Sequence, residues 1–244
     1  MTAVGKHLLV VVPALNEEAA VDDVVRGIRD QLGATVLVVD DGSTDRTSAR
    51  AARAGAHVLR HPYNLGVGAA LRSGFRFAHD GGYDTVLQVD GDGQHDIDAA
   101  EQLVAAIDAG YDVAIGSRFE AGYRVGLVRR TVMRFLGGVV SRRLGVTISD
   151  TTSGFRAFGP EAVRRFAQAY PTAYLSDTVE ALLLAGDWGL KVTEVPVQMR
   201  PRTTGVASAG KVKSALMLVR LLLVVALHRV RSPLVAQGAF DVAA

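Results

Sequence analysis

Two carboxylates, Asp90 and Asp92, stand two positions apart directly after the apolar run Val86-Leu87-Gln88-Val89. In an extended segment, side chains at i and i+2 leave the same face, so both can converge on one cation. Hard oxygen donors of this kind suit Mg2+ or Mn2+, and those ions in turn suit a diphosphate. The same residues also compose a polar Gly/Asp turn after a strand, which is common loop chemistry. Two further acidic clusters follow apolar runs in the same way: Asn16-Glu17 after His7 to Pro13, and Asp40-Asp41 after Val36 to Val39.

The elements that would carry these residues alternate along the first half of the chain. Val-rich runs at 7–12, 35–39, 56–60, 84–89 and 111–116 read as strands, and amphipathic segments at 18–31, 45–54, 67–79 and 97–109 read as helices. Such alternation predicts βαβ units, hence an α/β fold with a mainly parallel sheet and helices on both faces. Ligands in such sheets lie beyond the carboxyl ends of the strands, where all three acidic clusters fall. Ser43, Thr44 and Asp45 are also suited to capping the helix that follows them. The stretch Asn64-Leu65-Gly66-Val67-Gly68-Ala69-Ala70-Leu71-Arg72 invites a dinucleotide reading, but G-x-G-x-x-G fails at Leu71.

The chain has 244 residues, 49% hydrophobic and 21% charged, enough to bury a full core without staples. It contains no cysteine, so disulfides and thiolate metal sites are excluded and oxygen and imidazole are the remaining ligands. The first apolar run passes into Asn16-Glu17-Glu18 without a small-residue cleavage site, and reads as a buried strand. Net charge is only +2, yet acids crowd residues 80–112 while Arg and Lys crowd 118–143 and 200–231. That separation fits an acidic metal pocket facing basic surroundings for anionic ligands; solvated surface charge accounts for the same residues. No basic surface is interleaved with aromatics, which leaves nucleic-acid binding without support.

Taken in order, Pro13-Ala14-Leu15-Asn16-Glu17-Glu18, Val39-Asp40-Asp41-Gly42-Ser43-Thr44-Asp45, Asn64-Leu65-Gly66 and Asp90-Gly91-Asp92-Gly93-Gln94-His95 resemble the motif set of family 2 glycosyltransferases with the GT-A fold. Within that family the chain is similar to the branch of dolichol-phosphate mannose synthase and polyprenyl-phosphate sugar transferases. The resemblance continues through Asp150-Thr151-Thr152-Ser153-Gly154-Phe155-Arg156 and Glu194-Val195-Pro196-Val197 to about residue 210. It implies that Pro13, Asn16, Glu17 and Asp41 line a nucleotide pocket, and that Asp90, Asp92 and Gln94 serve the metal and diphosphate. It also places Gly116-Ser117-Arg118 beside the donor, so that Arg118 would face a phosphate; an exposed arginine flanking a helix is the competing account. Arg156 suits an anion contact because its planar fork binds phosphate in a bidentate manner. Arg200 and Arg202, on the basic loop after an edge strand that contains Pro196, are the expected contacts to the diphosphate or the acceptor phosphate. The Ser208-Ala209-Gly210-Lys211 stretch departs from the family's Ser-Lys spacing, which leaves Lys211 without an assigned role.

The resemblance implies an inverting transfer from a nucleotide-diphosphate sugar to a polyprenyl phosphate, with UDP and GDP both compatible. A phosphate acceptor is largely ionised at neutral pH and needs no general base. A hydroxyl acceptor needs one, and Asp177 and Glu180, at i and i+3 near a helix start, are the residues in place for it; stabilising that helix terminus is their simpler role. A non-catalytic nucleotide-sugar-binding partner of a membrane protein, and a nucleotidyltransferase, use the same metal and diphosphate chemistry.

From Lys211 to Arg231 the chain reads as one apolar helix, split by Arg220. Its apolar stretch rises only about 20 Å, against a bilayer core of about 30 Å. Lys213, Arg220 and Arg231 share one face of it, a basic stripe suited to the membrane interface or to a partner protein; an ordinary core helix is the simpler account. The expected organisation is a glycosyltransferase domain at 1–210 and an associating helix and tail at 211–244, with the chain peripheral to the cytoplasmic face of the membrane and compatible with a homo-oligomer.

Overall fold

The computed structural model describes residues 7–91, 98–117, 127–172 and 177–197. Its elements in chain order are β1 (Leu8–Ala14), α1 (Val21–Leu32), β2 (Thr35–Asp40), α2 (Thr47–Arg53), β3 (His57–Arg60), α3 (Val67–Asp80) and β4 (Thr85–Gln88). They continue with α4 (Asp98–Asp108), β5 (Val113–Ser117), α5 (Leu127–Leu144), β6 (Arg156–Phe158), α6 (Pro160–Ala169), α7 (Asp177–Asp187) and β7 (Val192–Pro196). The strands form one sheet in the order β3-β2-β1-β4-β6-β5-β7. All neighbours are parallel except β6, which runs antiparallel to both β4 and β5. The expected α/β architecture with a mainly parallel sheet is present, and the antiparallel β6 is an addition to it.

Alternation along each strand divides the core into two layers. Leu8, Val10 and Val12 of β1 pack with Val36 and Val38 under α1, α2 and α4. Leu9 and Val11 pack with Leu37 and Val39 on the opposite face, under α3, α5, α6 and α7. Both faces are therefore covered, which is why the strands are nearly continuous Val/Leu runs. Phe75 anchors the second layer, with its ring centroid 4.9 Å from Phe158, 5.4 Å from Phe166 and 5.1 Å from Tyr170. Burying a side chain of this size contributes about 1.5–3 kcal/mol, and these rings fix α3 and α6 against β6.

The sheet order places β2 on one side of β1 and β4 on the other. A ligand crevice forms where the chain turns to opposite sides of such a sheet. In register, Ala14 of β1 lies beside Asp40 of β2, and Val11 beside Gln88 of β4. The loops following these strands therefore emerge together on one rim. The trailing strand lies at the sheet edge as its proline requires, with Pro196 as its last and exposed residue.

Candidate active site

The first two rim loops are tied to each other by polar side chains. Asn16 adopts φ 56° and donates its main-chain N–H to Ser43 Oγ at 2.9 Å, while its Oδ1 accepts from the Thr44 main-chain N–H at 2.9 Å. A short polar side chain tolerates that left-handed backbone better than most. Glu17 N–H donates to Thr47 Oγ1 at 2.9 Å, and Asp40 Oδ1 accepts from Ser43 N–H at 2.8 Å. Asp40 also accepts the Ser48 hydroxyl. Of the three residues suited to capping α2, Asp45 accepts from Thr47 N–H at 2.9 Å, whereas Ser43 and Thr44 are drawn away to Asn16. Their polarity serves the seam between loops.

Asp41 closes the third loop. Its Oδ1 accepts from Leu65 N–H at 2.9 Å and from His61 Nδ1 at 2.7 Å, and its Oδ2 accepts from Gly66 N–H at 2.7 Å. A carboxylate can only accept, so Nδ1 of His61 carries the hydrogen, and in the neutral ring Nε2 then accepts from Ser73 Oγ at 3.0 Å. The loop lies so close that a Cβ at residue 42 would sit 2.6 Å from the Tyr63 carbonyl carbon, and Gly42 also has φ +81°. Only glycine satisfies both conditions. Asp41 is thus a buried latch between β2, β3 and the start of α3.

A second group gathers around β4 and β6. Asp90, half-buried, lies over Gly154, where an added Cβ would come within 2.8 Å of both its carboxylate oxygens. Arg156 stands opposite Gln88 in the β4–β6 register. Its guanidinium donates to the main-chain carbonyls of Thr178 and Thr151, both at 3.0 Å, and the whole side chain is buried. Burial lowers its pKa, opposed by Tyr170, Asp177, Asp150 and Asp90; a guanidinium still stays protonated at neutral pH. Arg156, expected at an anion, thus has its guanidinium inside the protein on two main-chain carbonyls. It is the internal counter-charge of an acidic cluster, covered by β4, β5 and α7.

Asp177, the first residue of α7, is also buried, and burial pushes its carboxyl up to about 6, with Arg156 opposing the shift. Its Oδ2, Arg156 Nε, Gln88 Oε1 and the Tyr170 hydroxyl are buried and have no hydrogen-bond partner among the described residues. Burial also raises the Tyr170 pKa, so that hydroxyl stays protonated. Groups left this way in a folded core call for a specific explanation. Among the described residues, Asp90, Asp150 and Asp177 gather around Arg156, and carboxylate oxygens of this kind fit a divalent cation at Asp90. Among the described residues, no three His, Asp or Glu side chains converge into a complete metal site.

The rim thus brings together Pro13, Asn16, Glu17 and Asp41 around β1 and β2, and Asp90, Arg156 and Asp177 around β4 and β6. Asp92, Gln94, Arg118, Arg200, Arg202 and the helix expected at Lys211 to Arg231 lie outside the described residues. Among those described, no helix is long and apolar enough to cross a membrane. Sequence reasoning missed His61, Gln88 and Tyr170. His61 carried a signal, since it immediately follows a strand on the same rim; Gln88 and Tyr170, embedded in apolar runs, carried none.

A mostly parallel sheet with its acidic centre at Asp90 on the rim has the architecture of the GT-A glycosyltransferases. The chain belongs to glycosyl transferase family 2, whose sequence profile matches residues 9–166. It is 32% identical over 224 residues to polyprenol monophosphomannose synthase of Mycolicibacterium smegmatis, covering 86% of this chain and 84% of that protein. It is 30% identical over 209 residues to undecaprenyl-phosphate mannosyltransferase of Micrococcus luteus, covering 82% and 86% respectively. The fold is similar to glucosyl-3-phosphoglycerate synthase of Mycobacterium tuberculosis, solved with Mn2+, UDP and glucosyl-3-phosphoglycerate. There the TM-score is 0.73 at 24% identity, over 92% of this chain and 80% of that one.

Proposed function

We propose that the chain moves a sugar from a GDP- or UDP-linked donor to a polyprenyl phosphate, with inversion at the anomeric carbon. The observation that carries this reading is the acidic cluster at Asp90, in a chain whose relatives are named for polyprenol and undecaprenyl-phosphate mannosyl transfer. Pro13, Asn16, Glu17 and Asp41 form the nucleotide side of the crevice. Asn16 and Asp41 act by holding three loops in one geometry, so the donor meets a surface that needs no reorganisation. Asp90, with Asp92 and Gln94, would hold Mg2+ or Mn2+, which when bound neutralises the charge developing on the departing diphosphate. Arg156 keeps the Asp90 carboxylate compatible with its buried acidic neighbours. Arg118, Arg200 and Arg202 supply the remaining positive charge toward phosphates.

The acceptor phosphate attacks the anomeric carbon through an oxygen that is already ionised, and the nucleoside diphosphate leaves from the opposite face. No proton has to be removed. The segment at 211–244 associates the catalytic part, residues 1–210, with the membrane surface or a membrane protein at the cytoplasmic side.

A second reading, transfer to a sugar or small-molecule hydroxyl, is favoured by one observation. Asp177 has an Oδ2 without a partner among the described residues and a carboxyl raised to about 6, close to the value suited to a general base. Incubation with labelled GDP- and UDP-sugars, Mn2+ and undecaprenyl phosphate separates the two. Label in a mild-acid-labile lipid product supports the phosphate acceptor, and label found only on added saccharides supports the hydroxyl acceptor and overturns the first reading.

A further inference from the structure

Away from the rim, α3 and the end of α6 enclose a groove of about 390 Å3 lined by Arg72, Arg76, His79, Asp80, Ala167 and Gln168. Arg72, Arg76 and His79 occur at i, i+4 and i+7 of α3 and so form one stripe on its surface. His79 stands about 20 Å along the helix from the Gly66 turn held by Asp41. The groove is therefore separate from the candidate active site.

Its chemistry is one-sided. Arg72 Nη2 donates to the main-chain carbonyl of Gln168 at 2.9 Å, one of the carbonyls that the last turn of α6 leaves without a helical partner. The Arg72 Nε–H is buried and has no acceptor among the described residues. Arg76 and His79 are exposed, and among the described residues neither makes an ion pair. Asp80, the one acid in the lining, pairs with neither arginine in that set. A guanidinium turned toward the end of α6, flanked by a second arginine and an imidazole, is an arrangement that a compact oxyanion satisfies. The size is that of a small-ligand site, which runs from about 300 to 1,000 Å3.

We infer that the α3–α6 groove binds a phosphomonoester group, with the Arg72 and Arg76 guanidinium groups and His79 as its donors. The phosphate is carried either by a small soluble molecule or by a lipid headgroup at the membrane. Two arms distinguish the sources. In the first, the His79 ring resonance of the full chain, assigned by its loss in His79→Gln, is followed while glycerol 3-phosphate is titrated at constant ionic strength with chloride as the balance. A saturable shift, weakened about tenfold or more in Arg76→Glu, is expected for a soluble ligand. In the second, sedimentation with phosphatidylcholine vesicles containing phosphatidic acid compares the wild type with Arg76→Glu and His79→Glu. Loss of vesicle binding on charge reversal, without a response to glycerol 3-phosphate, assigns the headgroup. Arg76 and His79 are exposed, so these variants keep the fold, and an unchanged urea midpoint verifies it. No saturable shift in the first arm together with no effect of either charge reversal in the second overturns the inference.

Discussion

Replacing Asp41 by Asn changes one atom of the side chain and tests whether this carboxylate is a latch or only a ligand contact. The carboxylate accepts three hydrogen bonds, two of them from the main-chain N–H groups of Leu65 and Gly66 on opposite oxygens. An amide has one acceptor. Turned with its NH2 toward Leu65 and His61, Asn would meet two donors; turned toward Gly66, it meets an N–H that keeps Asn64 Oδ1 as a second acceptor at 3.0 Å, so this is the orientation expected. One charge-assisted hydrogen bond is lost, at about 1.5–3 kcal/mol, and the surviving bonds lose their charge assistance. The expected cost is roughly 2–4 kcal/mol, a large part of a typical stability of about 5–15 kcal/mol. Urea unfolding followed by far-ultraviolet circular dichroism measures it, and the thermal midpoint should fall by about 5–15 °C for a chain of this size. His61→Gln, which alters one donor of the three, should cost less than half as much. A variant of wild-type stability that has lost only nucleotide affinity would refute the latch.

Further predictions concern the buried cluster. Arg156→Met leaves Asp90, Asp150 and Asp177 without their internal counter-charge and should destabilise by about 3–5 kcal/mol in urea. Arg156→Lys should recover only part of this, because one ammonium replaces a fork that reaches two carbonyls. For Asp177 the folded pKa of about 6 lies above the unfolded 3.8. Its contribution is therefore fully present below 3.8 and lost as pH rises through about 6. Asp177→Asn should accordingly be more stable than the wild type well above that range, by up to about 3 kcal/mol, and no more stable than it near pH 4. In the transfer assay, Asp177→Asn and Glu180→Gln should both keep activity toward a phosphate acceptor, whereas a hydroxyl acceptor would make one of them fall about a hundredfold or more.

The frame of the fold was readable because its strands are buried on both faces, which forces continuous Val/Leu runs such as Leu8 to Val12 and Val36 to Val39. What the sequence concealed was depth and pairing. Arg156 lies in a Gly- and hydroxyl-rich stretch that reads as an exposed anion loop, yet it begins the three-residue strand β6, too short to show alternation, and is sealed between β4 and β5. The helix α6 passed unread although Gly159-Pro160-Glu161 is a recognisable start, with Pro160 in its first turn. Asp41 was legible as an acid on the rim. Its partners were not, because His61, Leu65 and Gly66 lie 20 to 25 residues away and are brought back by the β2–β3 pairing. The tie between Asn16 and Thr44 spans 28 residues and is invisible to local capping rules.

The central claim is that Asp90 organises a cation-dependent, inverting transfer of sugar to a lipid phosphate. It is tested most directly by following the anomeric configuration of the product with an α-linked nucleotide sugar, undecaprenyl phosphate and Mn2+, with and without chelator. A β-linked lipid phosphosugar is predicted, formed by the wild type and lost with chelator or in Asp90→Ala. An α-linked product, or equal turnover by the chelated enzyme and by Asp90→Ala, would contradict it.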